Sequence, residues 1–270
     1  MAEVNSALKR AGTGPDPAPF GRFRDVRQSF ARPGQAPLHA IEAVSFDLER
    51  GKLVSLLGPS GCGKTTLLKI VAGLMRATAG VVQIEGVDVT EPQPEFGVVF
   101  QTANLMPWRS VLRNVLLPIE IRRDTGGAAR AAALELLSLV GLAGFEHARP
   151  AELSGGMQQR VALCRALVHK PRLLLMDEPF GSLDELTRME MQDLLLDIRA
   201  RTGATVLFVT HSISEAVYLS DRVVVFSRRP ATIADMIDVP LPYPRTPELR
   251  YCATFTEIGH RAGRALGVSR

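Results

Sequence analysis

Nine consecutive residues, Gly58-Pro59-Ser60-Gly61-Cys62-Gly63-Lys64-Thr65-Thr66, set three glycines before a lysine and two hydroxyls in the spacing G-x-x-x-x-G-K-[ST]. Glycines let the backbone curl so that successive N–H groups point inward, and a helix starting there adds the positive end of its dipole. Such a concavity takes an anion. Lys64 can reach the outer phosphates of a nucleotide as a point charge, and the Thr65 hydroxyl can ligate a Mg²⁺ that bridges them. A second site is Asp177-Glu178, directly after Leu173-Leu174-Leu175-Met176. Neighbouring residues at a strand end project in different directions, which assigns Asp177 to the metal and Glu178 to the attacking water. Two solvated acids capping the next helix would be the better reading of Asp-Glu alone; a preceding apolar strand and a phosphate loop elsewhere in the chain reverse that preference.

The elements that must position these residues are legible around them. Leu53 to Leu57 is strand-like and Leu67 to Ala72 helix-like, so the loop lies between strand and helix, as a phosphate site requires. Leu173–Met176 and Val206–Val209 read as strands buried on both faces, separated by a helix over about Leu186 to Arg201. That order predicts βαβ units and a parallel sheet. Short runs at 43–48, 81–84 and 96–100 predict a small antiparallel sheet beside the strand that feeds the loop. Gly126 to Val140 has helical spacing, with Ala132, Leu134, Leu137, Leu139 and Val140 apolar and Gly141 placed to end it. Met1 to about Gly21, rich in Ala, Gly and Pro without period, reads as a flexible leader. Beyond Val239, four prolines precede an amphipathic helix with Leu249, Cys252, Phe255 and Ile258 on one side, expected to pack back on the core.

At 270 residues the chain can bury a substantial core, and 46% hydrophobic with 22% charged residues is an ordinary globular balance that argues against disorder. The net charge of +4 comes without a long Lys/Arg block, so dedicated nucleic-acid binding is not expected. Three cysteines without C-x-x-C spacing argue against a disulfide framework and a zinc site. No apolar run approaches the roughly 20 residues of a membrane span, so work at a membrane would proceed through a partner.

A third motif narrows the class. Leu153-Ser154-Gly155-Gly156-Met157-Gln158-Gln159-Arg160 supplies a helix-capping serine, two glycines that leave N–H groups exposed, and an amphipathic continuation. One ATP needs one cradle, so a second anion-receptive helix start implies a second ligand or a site completed by another copy of the chain. This octapeptide resembles the signature of the ABC-transporter ATPases, and the match extends over about Phe23 to Val239. The resemblance implies an α/β phosphate-loop NTPase core with a mostly parallel sheet, a small antiparallel β subdomain and an α-helical subdomain over about 102–168, the ATPase domain spanning 22–240 with 241–270 as a tail. It implies ATP and Mg²⁺ as ligands, and two copies head to tail, with Ser154, Gly155 and Gly156 of one closing on the nucleotide held by Gly58 to Thr66 of the other. Gln101 matches the glutamine that contacts Mg²⁺ or water and senses the γ-phosphate, and Ser182-Leu183-Asp184 matches the loop that crosses the dimer interface. His211 matches the histidine that holds the γ-phosphate. Phe30 stands where the family stacks an aromatic on adenine, with Phe23 and ordinary core packing as competitors.

Leu105 to Val115, and Leu219 to Ser227 with the following Arg229-Pro230 and Val239 to Pro242, are similar to the importer ATPases for nitrate, alkanesulfonates and taurine. The resemblance implies a peripheral ATPase at the cytoplasmic face of the inner membrane, a separate permease docking near Trp108, and a solute-binding protein in the same system. Packing of Trp108 within the helical subdomain competes with docking. The alternatives are an ATPase of another importer or exporter, for a pyrimidine, thiamine precursor or lipid, and one of a soluble complex in translation or repair. A small-molecule kinase shares only the phosphate loop. Cys62 reads as a small side chain fitting among glycines in preference to a thiol switch.

Overall fold

The computed structural model describes residues 18–123 and 127–268. In chain order the elements are β1 (Gly21–Arg32), β2 (Gln35–Leu48), β3 (Leu53–Leu57), α1 (Lys64–Val71), β4 (Ala79–Ile84), β5 (Val87–Asp88), β6 (Phe96–Val99), α2 (Val111–Val115), α3 (Leu117–Ile121) and α4 (Ala128–Leu139). There follow α5 (Gly155–Leu167), β7 (Leu173–Asp177), α6 (Glu185–Thr202), β8 (Thr205–Thr210), α7 (Ile213–Leu219), β9 (Arg222–Phe226), β10 (Ile233–Asp238) and α8 (Ala253–Ala265).

Two sheets result. The larger has the order β10-β9-β3-β8-β7-β6 and is parallel except for the edge strand β10. The smaller, β2-β1-β4-β5, is antiparallel. Each central strand of the larger sheet divides its side chains between two cores, because successive residues of a strand point to opposite faces. Leu53, Leu57, Leu174, Met176, Val206 and Phe208 join the core shared with the helices. Val54, Leu56, Leu173, Leu175, Leu207 and Val209 join the core shared with α1 and the antiparallel sheet. Burial on both faces is why these strands read as continuous apolar runs.

One expectation is corrected. Phe96–Val99 is not part of the antiparallel sheet; β6 pairs in parallel with β7, Phe96 opposite Leu173 and Val99 opposite Met176. A four-residue apolar run fits either partner, and the choice is made by α5, which lies against β6 so closely that a Cβ on Gly97 would stand 2.5 Å from the Ala166 carbonyl oxygen. The leader is also shorter at its C-terminal end than expected: Phe20 is buried and Gly21 already pairs with Leu48 and Ile84, while residues 1–17 lie outside the described residues. In α4 the buried residues are Ala133 and Leu137, with Val140 just beyond, while Leu134 is exposed; Gly141, at φ 72°, ends the helix and Gly126 lies outside the described residues. The tail packs on the helical core through Phe255, Ile258 and Ala262. Among the described residues no helix is long and apolar enough to cross a membrane.

Candidate functional site

The phosphate loop leaves β3, the middle of the larger sheet, and enters α1 at Lys64. Gly61 and Gly63 have φ of 74° and 131°, and a Cβ on Gly63 would stand 2.9 Å from the Ala40 carbonyl oxygen, so the curl demands glycine there. Lys64 is buried, and its Nζ donates to the carbonyls of Gly58 (2.7 Å) and Pro59 (2.9 Å). The loop thus folds around its own lysine. Pro59, Ser60 and Gly61 line the exposed rim, and Thr66 stands beside Thr65 in the first turn, half-buried. Cys62 is buried within the loop, which favours the packing role over a thiol switch.

Strand alternation decides where the carboxylates go. Leu173 and Leu175 face α1, so Asp177, two residues on, faces α1 as well, and its Oδ1 accepts from Thr65 Oγ1 at 2.8 Å. Burial pushes the Asp177 carboxyl up, the neighbouring Glu178 adds to that, and the Thr65 hydroxyl with Lys69 and Lys64 pulls it back. Hydroxyl and carboxylate oxygens are the donors that Mg²⁺ takes. Glu178 departs from the strand at φ 44°, a left-handed conformation uncommon for a residue with a Cβ and concentrated at functional sites. The turn brings its carboxylate between a lysine and an imidazole: Oε1 is 3.7 Å from Lys64 Nζ, and Oε2 is 2.9 Å from Nδ1 of His211, which follows β8. Lys64, Thr65, Asp177, Glu178 and His211, drawn from three parts of the chain, therefore form one cluster.

Gln101 lies just past β6, exposed, with its amide nitrogen near Gly181 in the turn after Glu178. Sequence reasoning missed what fixes this segment. Gln159 of α5 donates to the Phe100 carbonyl (3.1 Å), and Arg165 of the same helix donates to those of Ala103 (2.7 Å) and Asn104 (2.8 Å). Gln159 stands inside the octapeptide, but its burial is decided by the approach of α5 to β6 and left no signal in the sequence.

Ser154, Gly155 and Gly156 are not joined to the phosphate loop by any hydrogen bond among the described residues. Ser154 caps α5, accepting from the Met157 N–H at 3.2 Å, and is exposed, as is Gly155. Gly156 packs toward the start of α6, where a Cβ would stand 2.7 Å from Thr187 Cγ2. Asp184 caps α6 by accepting from Thr187 N–H at 3.0 Å and is exposed. Both helix starts are thus open to an outside ligand or chain.

Phe30 is half-buried on β1 opposite Leu38. Phe23 is fully buried and stacked on Phe46 with ring centroids 4.0 Å apart, so no base can reach it. Trp108 is 71% exposed, which removes core packing as its role. Buried Asn114 holds the turn that presents it, taking the Met106 N–H (2.7 Å) and donating to the Met106, Arg109 and Ser110 carbonyls.

Loop, sheet order and paired carboxylates together are those of a phosphate-loop ATPase. Residues 41–181 match the family described as ABC transporter, and the chain belongs to that family. It is 47% identical over 200 residues to the taurine import ATP-binding protein TauB of Yersinia pestis bv. Antiqua (strain Antiqua), covering 74% of this chain and 78% of the relative. To the aliphatic sulfonates import ATP-binding protein SsuB of Bacillus cereus it is 44% identical over 209 residues, covering 77% and 82%. Among solved structures, the dimeric bacterial ABC transporter cassette MJ0796 matches with TM-score 0.72 at 31% identity, over 82% of this chain and all of that one. A post-hydrolysis state of the same cassette, bound to ADP and Pi, matches with TM-score 0.71 at 30% identity and the same coverage.

Proposed function

We propose that this chain is the ATP-hydrolysing subunit of an importer for a taurine-, sulfonate- or nitrate-type solute, acting on a separate permease at the cytoplasmic face of the membrane, in a system with a solute-binding protein. The names of the relatives and the segments around Trp108 and Arg229 support the solute class. In this reading two copies pair head to tail, and Ser154, Gly155, Gly156 and Asp184 of one complete the pocket over Gly58 to Thr66 of the other. The exposure of both helix starts supports it, as does the dimeric form of the cassette that resembles this chain.

The observation that carries the mechanism is Glu178 held between Lys64 and His211. Lys64 and the loop N–H groups bind the outer phosphates of ATP, and Phe30 lies against the adenine. Thr65, Asp177 and Gln101 would hold Mg²⁺, which when bound supplies charge neutralisation to the phosphate oxygens. Glu178 orients the attacking water and accepts its proton. His211, with Nδ1 engaged by Glu178, has Nε2 left for a γ-phosphate oxygen. The buried lysine and the half-buried carboxylates are fixed in place before the nucleotide arrives, and preorganised charges of this kind stabilise developing charge without reorganisation.

Glu178→Gln keeps a side chain that can meet His211 and Lys64 but cannot take a proton. It should bind ATP as the native protein does, lose turnover by about 100-fold or more, and sediment as a dimer with ATP and Mg²⁺. A monomer under those conditions would overturn the shared pocket, and native turnover would overturn the role of Glu178. Release of inorganic phosphate without an added acceptor separates this reading from a kinase.

A further inference from the structure

The ends of β8 and α7 contain a polar arrangement that the hydrolysis mechanism above does not use. Ser212 and Glu215 have the S-x-x-E spacing in which a helix-capping serine and the glutamate three residues on normally satisfy each other's backbone N–H groups. Here only half of that exchange forms. The Glu215 N–H donates to Ser212 Oγ at 3.3 Å, but the Glu215 carboxylate does not return to the Ser212 N–H. Oε2 instead accepts the Thr210 hydroxyl, and the Ser212 N–H donates to Thr210 Oγ1 at 3.0 Å. Thr210, Ser212 and Glu215 thereby close a ring of hydrogen bonds, and the residue enclosed between the two hydroxyl residues is His211.

Glu215 is 6% exposed, and its other oxygen accepts from Gln192 Nε2 of α6 at 3.2 Å. Gln192, also buried, takes Arg250 Nη2 at 2.7 Å on its Oε1. Arg250 lies in the turn of 3₁₀ helix Pro247–Tyr251 that precedes α8, its guanidinium 3.5 Å from the ring centroid of Tyr218, whose hydroxyl donates to Asp193 at 2.7 Å. A chain of oriented polar groups thus runs from the C-terminal segment to the backbone on either side of His211. All of its members lie past residue 181, where the family match ends. A cavity of about 30 Å³, lined by Glu178, Arg188, His211 and Glu215 among others, separates the ring from the proposed water-activating carboxylate.

We propose that Glu215 is a positioning residue for ATP hydrolysis, fixing the Thr210–Ser212 turn so that His211 meets Glu178, and that Arg250 of the C-terminal segment braces it through Gln192. A buried carboxylate is expensive unless fully hydrogen-bonded. Burial does push the Glu215 carboxyl up, while the bonds from Thr210 and Gln192 and the charges of Arg188 and His211 oppose that rise. The proposal rests on the role given to His211 above.

The test is a double-mutant cycle on the full chain, measuring kcat and KM for ATP. His211→Ala is the control: no loss of kcat would mean that the proposed site itself is wrong. Given that loss, Glu215→Ala is expected to lower kcat at least about tenfold with KM changed less than about twofold, and to add nothing further in the His211→Ala background. Glu215→Gln, which keeps the length and one acceptor, should recover most of that loss. Losses that multiply across the cycle, or a kcat equal to the native value, would overturn the proposal. If Glu215→Ala fails to fold, Arg250→Met decides: it preserves packing over Tyr218, removes the donor to Gln192, and should lower kcat about threefold without changing KM and without adding to His211→Ala. Native kcat in Arg250→Met would overturn the role of the C-terminal segment.

Discussion

At the scale of single residues the site is a set of charges that the fold holds at some cost to itself. Asp177 shows it most clearly, since burial is the largest influence on its carboxyl and raises it. A carboxyl whose value in the folded chain lies above that in the unfolded chain binds protons more readily when folded. Its contribution to the stability of the free protein is therefore full below the ordinary carboxylate range and is lost as pH rises through the raised value, so that none of it remains at neutral pH. Asp177→Asn keeps an oxygen for the Thr65 hydroxyl and removes the charge. Its melting temperature without ligand at neutral pH should equal or exceed that of the native protein, while the rise that Mg²⁺ and ATP cause together should vanish. A variant that melts lower without ligand, or still gains stability from Mg²⁺, would mean that Asp177 is a structural acid. Cys164, by contrast, lies deep in the helical core, where burial pushes its thiol up to about 12 and leaves it inert as a nucleophile.

At the scale of elements, the contact between β6 and α5 carries more than packing. Gly97 leaves room for the Ala166 carbonyl, and from that close approach α5 sends Gln159 and Arg165 to the segment around Gln101. Gly97→Ala must push helix and strand apart, at about 1–3 kcal/mol. Thermal or urea unfolding should register that loss, and turnover should fall because Gln101 moves with the strand end; native stability would mean that α5 shifts freely. The catalytic loop, the strand before Asp177 and the capped start of α5 were all legible locally, because each rests on residues within a few positions of one another. The place of β6 was not, since Phe96-Gly97-Val98-Val99 has no feature that selects a parallel partner nearly eighty residues away. Glu215 was hidden differently: its spacing from Ser212 is that of an ordinary helix cap, and only the position of Thr210 diverts its carboxylate.

At the scale of the whole molecule, the proposed function calls on two places of the surface to meet other chains. One is the pair of open helix starts at Ser154 and Asp184, the other the ridge around Trp108. An indole that is 71% exposed on a turn stapled by buried Asn114 is a rigid anchor, and aromatic anchors of this kind dominate binding energy at interfaces. Trp108→Ala should leave the basal ATPase activity of the isolated subunit unchanged and weaken association with the permease by about 2 kcal/mol or more, as read in a pull-down or titration with the permease in detergent. Unaltered association would exclude this ridge as the docking surface. The C-terminal segment belongs to the same body as the rest, since Phe255, Ile258 and Ala262 complete the core that α7 and β9 begin.

By itself the sequence determined the phosphate loop, the paired carboxylates, the capped glycine helix start and the doubly buried strands, because those depend on short-range backbone chemistry and on the two-residue alternation of a strand. Tertiary structure alone decided that His211 meets Glu178, that β6 lies beside β7, that Trp108 faces outward, and that Arg250 is linked through Gln192 and Glu215 to the turn that holds His211. Each of those outcomes is a meeting of residues distant in the chain, and it is set by sheet order and by which helix covers which face, quantities that no local pattern of residues encodes.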